Sequence, residues 1–395
     1  MRVRNRISTV LSAALLSIAV AAPAPAAAAA APQTAVPQTA APQAATGRLI
    51  ALRTLGGRES TAGQANARGD LAGSTQNRAG TWQAAVWWQG RRNPIALRVP
   101  DASAWAISDN RYIAGEMNRG RGGMFRWHKG KVTYRWNPAG TRYYVASVNN
   151  RGQVVGTAFY DDGSSRAFLW QRGRLTLLAQ PAGARSEGVA VNNHGQAIGV
   201  VTPKGTWNAK AVLWQHGRLR WLGTLGGARS EAVAINDRGQ VAGDSQTKDS
   251  FMDHPFLWQH GRMTDLLRGT AATSGDATAI NRHGVVAGRV QFATGHGNRA
   301  VLWRHHRMTV LPVPGQSIFA EVINDRGEAG GTAWNVNPAG GGDFGVPFRW
   351  SKGRVTVYPR PAVDREVRVI GISRYGTMSV LLVSRAKGSQ LFRTA

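Results

Sequence analysis

The chain contains no cysteine. That excludes disulfide staples, thiolate metal sites, a cysteine nucleophile and a lipoprotein-type acyl anchor. Acidic residues are scarce as well: 21 Asp and Glu stand against 49 Lys and Arg in 395 residues, a formal net charge of +28. With carboxylates this few and scattered, no facing pair of the kind that hydrolyses glycosides can be assembled from spacing alone. Beyond the N-terminal region no apolar run is long enough for a membrane-spanning helix. Sustained helical periodicity is missing too, which argues against a helical domain. Nor is there a His-Glu-x-x-His or a Gly-x-Ser-x-Gly, and the Gly-rich "GTLGGARS" (223–230) fits neither phosphate-loop fingerprint.

The first residues read as an export signal. Arg2, Arg4 and Arg6 form a basic start, residues 10–20 an apolar run, and small residues with Ala-x-Ala options follow. Residues 1–26 are assigned to this signal. Residues 27–46 form an Ala/Pro/Gln/Thr-rich linker, with Pro-Gln recurring at Pro32, Pro37 and Pro42. Such a composition buries too little apolar surface to fold. Residues 47–395 are expected to form one domain, secreted and either free or retained at the cell wall. Without disulfides, its core must supply the stability.

That domain is repetitive. "AINDRGQVAG" (234–243) has relatives at 64–73, 106–115, 147–156, 190–199, 279–288, 322–331 and, degenerate, 371–380. A second signature carries a tryptophan, at Trp88, Trp127, Trp170, Trp214, Trp258, Trp303 and Trp350, with Phe392 as a weak eighth. Within one unit, "EAVAIN" is β-prone, "DRG" is a turn able to supply positive φ, and "QVAG" is a short strand. "PFLWQ" is a third strand, "HG" a tight turn and "RMTDLL" a fourth strand. Four short strands in about 44 residues match a propeller blade. The ends are complementary. "GRLIALRTLGG" (47–57) aligns with "GRLRWLGTLGG" (217–227), so the domain starts in a fourth strand, whereas "QLFRTA" ends it in a third. The expected fold is therefore all-β, an eight-bladed β-propeller closed by its N-terminal strand. Seven blades and an open β-solenoid are the alternatives.

The stretch "LGTLGGARSEAVAINDRGQVAGDS…HPFLWQHGRMTDL" resembles the HAF-repeat family of bacterial extracellular proteins. The family's His-Ala-Phe triplet before Leu-Trp survives as His254-Pro255-Phe256 and Arg166-Ala167-Phe168. The resemblance covers roughly residues 48–360 and fades towards the C-terminus. It implies an exported, β-rich repeat protein and brings no catalytic residues with it.

Repetition separates scaffold from chemistry, because a reacting residue is needed once and a fold-maintaining residue in every unit. By that criterion the tryptophans are core between neighbouring sheets. Asn149, Asn192, Asn236, Asn281 and Asn324 open turns, where their side chains bond the backbone two residues on. His216, His260 and His306 lie in equivalent turns, and the adjacent pair His305 and His306 points to opposite sides of a strand. No metal site, cofactor or catalytic residue is assigned. "YDDGSSR" (160–166) lacks the later ligands of a calcium loop and reads as a loop tip. Asp161, Asp162, Glu187, Asp237, Glu321 and Asp325 are expected in or beside the repeat turns.

The charge is differently placed. In an antiparallel blade, the connections between strands one and two and between strands three and four share one face. The first set carries Arg68, Arg151, Arg238, Arg282 and Arg326, and the second Arg92, Lys131, Arg174, Arg218, Arg262, Arg307 and Arg354. A preference for Arg over Lys explains the choice of base but not the shortage of acids. These twelve residues are the candidate site for a repetitive polyanion: cell-wall phosphates, anionic polysaccharide or extracellular DNA. The expected protein is a monomeric, non-enzymatic binding or scaffolding module. The alternatives are a polysaccharide lyase or hydrolase with its site at the channel or the variable loops, and a protein-protein interaction module.

Overall fold

The computed structural model describes residues 44–99, 101–118, 122–248, 250–294, 297–334, 345–359, 366–384 and 388–395. The signal and most of the linker assigned from sequence lie outside these residues. Among the described residues there is no helix; the chain forms eight four-stranded antiparallel blades. Blades 1 to 7 span residues 56–96, 102–136, 141–177, 185–221, 226–265, 272–310 and 317–357. Blade 8 takes three strands from residues 367–394 and its fourth from Leu49–Ala51. Leu49, Ile50 and Ala51 pair antiparallel with Thr394, Arg393 and Phe392. This is the closure expected from the complementary ends. Ala45 and Thr46, placed by composition at the end of the linker, pair in parallel with Thr356 and Val357 of blade 7.

The first strand of each blade touches the first strand of the next, and blade 8 returns to blade 1, so first strands line the ring's centre. Eight hydrophobic clusters occupy the eight joints between blades. The repeated tryptophan fills these joints: Trp87, Trp170, Trp214, Trp258 and Trp303 are buried. Two indole N–H groups are traced to the strand connectors, Trp87 to the Arg53 carbonyl at 2.9 Å and Trp214 to the Ala179 carbonyl at 2.7 Å. Pairing corrects two sequence assignments. Trp87, opposite Leu71, holds the repeat position in blade 1, and its neighbour Trp88 does not. In blade 8, Phe392 pairs with Val380 as Phe256 pairs with Gly243, two residues short of the tryptophan position.

The turn asparagines do more than shape their own turns. The Asn236 oxygen accepts from the Arg238 and Gln240 amides, while its Nδ2 donates to Gln240 Oε1 and to the Asn281 carbonyl of the next blade. All four of its hydrogen-bonding sites are thus used in a buried place. The same reach to the next blade recurs from Asn66 to Ser108, Asn149 to Asn192, Asn192 to Asn236, Asn281 to Asn324 and Asn324 to Ser373. Serine takes the position in blades 2 and 8.

Every first strand carries a register shift at the same place, after Ala62, Ala104, Val145, Gly188, Ala232, Ala277, Ala320 and Val369. A bulge bends a strand and turns an amide out of the ladder. It also brings the first strand close to the second. A Cβ on Gly243 would sit 2.0 Å from the Glu231 carbonyl oxygen, which explains the glycine of "QVAG".

In blades 2 to 7, strands three and four are joined by two-residue turns with positive φ at both positions, such as Arg172-Gly173 and His260-Gly261. Blade 6 departs from this pattern with His305 (φ 50°) and His306 (φ 63°), so His305, not His306, is the equivalent of His216 and His260. A side chain in the left-handed region is strained where glycine is not. His306→Gly is expected to stabilise the domain by about 0.5–1 kcal/mol, seen as a higher urea midpoint with unchanged slope.

Candidate basic face

All twelve candidate cations are exposed. Arg68, Arg151, Arg238, Arg282 and Arg326 lie in the turns between strands one and two, which the asparagine contacts hold side by side around the centre. Lys131, Arg174, Arg218, Arg262, Arg307 and Arg354 each open a fourth strand, and Arg92 stands in the corresponding loop of blade 1. The cations therefore form an inner set and an outer set on one face. His194 and Arg374 extend the inner set, also exposed.

The acids of this face are engaged in holding the ring. Asp109 accepts the Ala67 amide at 2.8 Å, Asp237 the Asn193 amide at 2.8 Å, and Asp325 the Arg282 amide at 3.0 Å. Asp70 is fully buried and accepts from Arg111, Asn66 and the Gln89 amide. Burial pushes its carboxyl up, but Arg111 and these donors outweigh burial and hold it below the usual range. Of the twelve cations, Arg282 has a carboxylate nearby, Asp325 at 3.6 Å, a separation too long for a strong pair.

Three other arginines belong to the frame. Arg126, Arg349 and Arg393 sit at one repeat position, where blades 3 to 6 have leucine. Each donates to a turn-glycine carbonyl of the following blade: Gly152, Gly376 and Gly69. Arg393 also donates to the carbonyls of Trp87, Trp88 and Arg91, which locks blade 8 to blade 1. The sequence signal for these clamps is "FRW" or "FRT" in place of "FLW".

The channel-side carboxylates also correct an expectation. Glu187 and Glu321 lie in first strands rather than turns. Several carboxylates accept the amide that a bulge frees on the next blade. Glu116 takes Val145 at 2.9 Å, Asp244 takes Ala277 at 2.7 Å, and Glu321 takes Val369 at 2.7 Å. The Thr157 hydroxyl does the same for Gly188 at 3.2 Å. Burial raises Glu187 and Glu231, raises Asp244 well above the usual range, and pushes Glu116 and Glu321 up to about 7. Asp253 and Asp276 pair with Arg229 and Arg289. Among the described residues, no three His, Asp or Glu side chains converge as metal ligands. The opposite face presents Trp207, 85% exposed and faced by Arg185, and Phe251, 94% exposed.

No protein-family model matches the chain, and no curated protein sequence matches it. Solved structures do. The β-propeller domain of the Trilobed protease from Pyrococcus furiosus, described as having an open velcro topology, matches with a TM-score of 0.51 and 10% identity over 76% of this chain and 97% of that one. A prolyl endopeptidase matches with a TM-score of 0.53 and 9% identity over 86% of this chain. This chain spans 55% of that endopeptidase's length. At such identities the likeness is one of fold alone: the chain is an eight-bladed β-propeller.

Proposed function

We propose that this propeller is an extracellular, non-enzymatic binding module that holds anionic polymers against its basic face. The observation that carries the reading is the pairing of two facts about one surface. Its cations are exposed, and the acids Asp70, Asp109, Asp237 and Asp325 are engaged by hydrogen bonds that hold the ring. Each contact is weak, and many act together because a ring of blades repeats them at fixed spacing. The export-like N-terminus and the resemblance to HAF repeats support an extracellular setting, with cell-wall phosphates, anionic polysaccharide and extracellular DNA as the polymers to try. The channel carboxylates give less support to a hydrolase or lyase, since they serve as acceptors for the bulge amides.

The test is retention of the purified domain on isolated cell wall, heparin and DNA across a salt series. Counterion release makes log affinity fall linearly with log salt. With about six charge contacts the loss is about a thousand-fold between ~50 and ~200 mM salt. Replacing Arg174, Arg218 and Arg262 together by serine should flatten the slope, and Lys204→Ser on the other face should not. A flat slope in the unmodified protein, or no retention on any polymer, overturns the reading.

A further inference from the structure

The eightfold pattern of the basic face is broken at one place. The fourth-strand residue that pairs with the position before the tryptophan is threonine in five blades, Thr133, Thr176, Thr264, Thr309 and Thr356, and isoleucine in blades 1 and 8, Ile95 and Ile50. In blade 4 it is Arg220. A residue that departs from its repeat is not required by the repeat's packing.

Arg220 pairs across the strands with Leu213, and Arg218 with Gln215, so all four project from the same side of the sheet. That side faces blade 5, since Leu213 packs in the cluster shared with Phe256 and Trp258. The guanidinium of Arg220 lies over the Trp258 ring, 5.1 Å from its centre. Stacking holds the charge in a fixed plane and leaves its edge donors free. Leu213, Gln215, His216, Arg218, Leu219 and Arg220 line an open cleft of about 590 Å³ at the rim of the basic face. Neither Arg218 nor Arg220 forms an ion pair among the described residues.

We infer that this cleft on the outer two strands of blade 4 is a discrete oxyanion site that takes one acidic group of the bound polymer. Two guanidinium forks two residues apart, with the Gln215 amide beside them, suit the several oxygens of a phosphate or carboxylate. Leu213 and Leu219 add apolar lining that suits the C–H surface of the sugar or polyol that bears it. The inference rests on the polyanion reading and narrows it to a place. Elsewhere the face acts as a diffuse field, and here it recognises a group.

Calorimetric titration of the whole chain with inorganic phosphate, glycerol phosphate and glucuronate, at about 150 mM salt, tests this. The unmodified protein should bind at least one of the three, and comparison among them separates phosphate from carboxylate. Arg220→Thr restores the residue of five other blades, so the fold should tolerate it. It should weaken binding of the preferred anion at least tenfold, and Lys204→Ser on the other face should leave it within twofold. Equal binding by the Arg220→Thr protein, equal loss in both variants, or no binding of any small anion overturns the site. Retention on polymers with a steep salt slope would then still uphold the basic face. Conversely, small-anion binding that depends on Arg220 without polymer retention would keep the cleft and remove the face.

Discussion

A domain shortened to begin at Thr54 should melt on the order of 10 °C below the domain that begins at Gly47. The shortening removes the three-residue ladder between Leu49–Ala51 and blade 8. It also removes the bonds from Leu52 to Leu391, Ala395 to Arg48 and Arg53 to Arg92, and the acceptor of the Trp87 indole. Leu52 leaves the cluster at the joint of blades 8 and 1, and Leu49 the cluster at the joint of blades 7 and 8. Two such leucines and several buried hydrogen bonds amount to about 5 kcal/mol or more. What remains is a ring whose last blade has a bare edge, which invites pairing between molecules. Arg393 does not compensate. Burial pulls its guanidinium down to about 10, so it stays charged at neutral pH and holds the blade 1 carbonyls, but it sits on the strand whose edge is exposed. A peptide of residues 47–54 added in trans should restore melting in a concentration-dependent way. Differential scanning calorimetry decides the matter: a midpoint shift under about 2 °C would mean that closure contributes little.

The second large effect concerns pH. Glu116→Gln and Glu321→Gln should be neutral in effect near pH 4.5 and stabilising at pH 8. In the folded protein both carboxyls stay protonated up to about 7, because burial disfavours the charged form. In the unfolded chain they ionise near 4.3. Between those values the folded state binds more protons, so stability falls as pH rises, and above about 7 the loss is complete. Each group contributes about 1–3 kcal/mol of that loss. Glutamine keeps an oxygen for the Val145 or Val369 amide and cannot ionise. The difference in urea midpoint between variant and parent should open between pH 4.5 and 7 and then stay level. A difference independent of pH would sink the argument. Together the two changes should add, since they serve different joints.

Much of this architecture could be read in the letters, for a physical reason. Turns that demand positive φ announce themselves as "DRG" and "HG", and the truncated first unit announces closure. The bulges could not be read. A bulge inserts a residue into an apolar run such as "AVAI", where both faces of the strand are covered, so no polar residue marks the slip. The same blindness put Trp88 in place of Trp87, since in "VWW" only pairing decides which indole enters the joint. The exposed turn positions of the twelve cations were legible because turn positions follow from strand count. Arg220 was visible as a substitution in the repeat, but its meaning depends on Trp258 lying beneath it in the next blade. The carboxylates misled for a related reason: Glu321 lies four residues from a turn, and sequence carries no sign that a bulge has aimed an amide at it.

The closure has a further consequence in time. Leu49–Ala51 are among the first residues of the domain to be made and Phe392–Thr394 among the last, yet they are strand partners. On a chain that emerges N-terminus first, the seven complete blades can assemble progressively, each on its predecessor. The opening strand must stay unpaired through all of it. Until the final residues arrive, the nascent protein carries an orphan strand at one end and an unsatisfied edge at the other, and two such chains are complementary to each other. The order of synthesis thus makes intermolecular strand exchange the natural competitor of folding, and dilution or an accompanying chaperone the natural remedy.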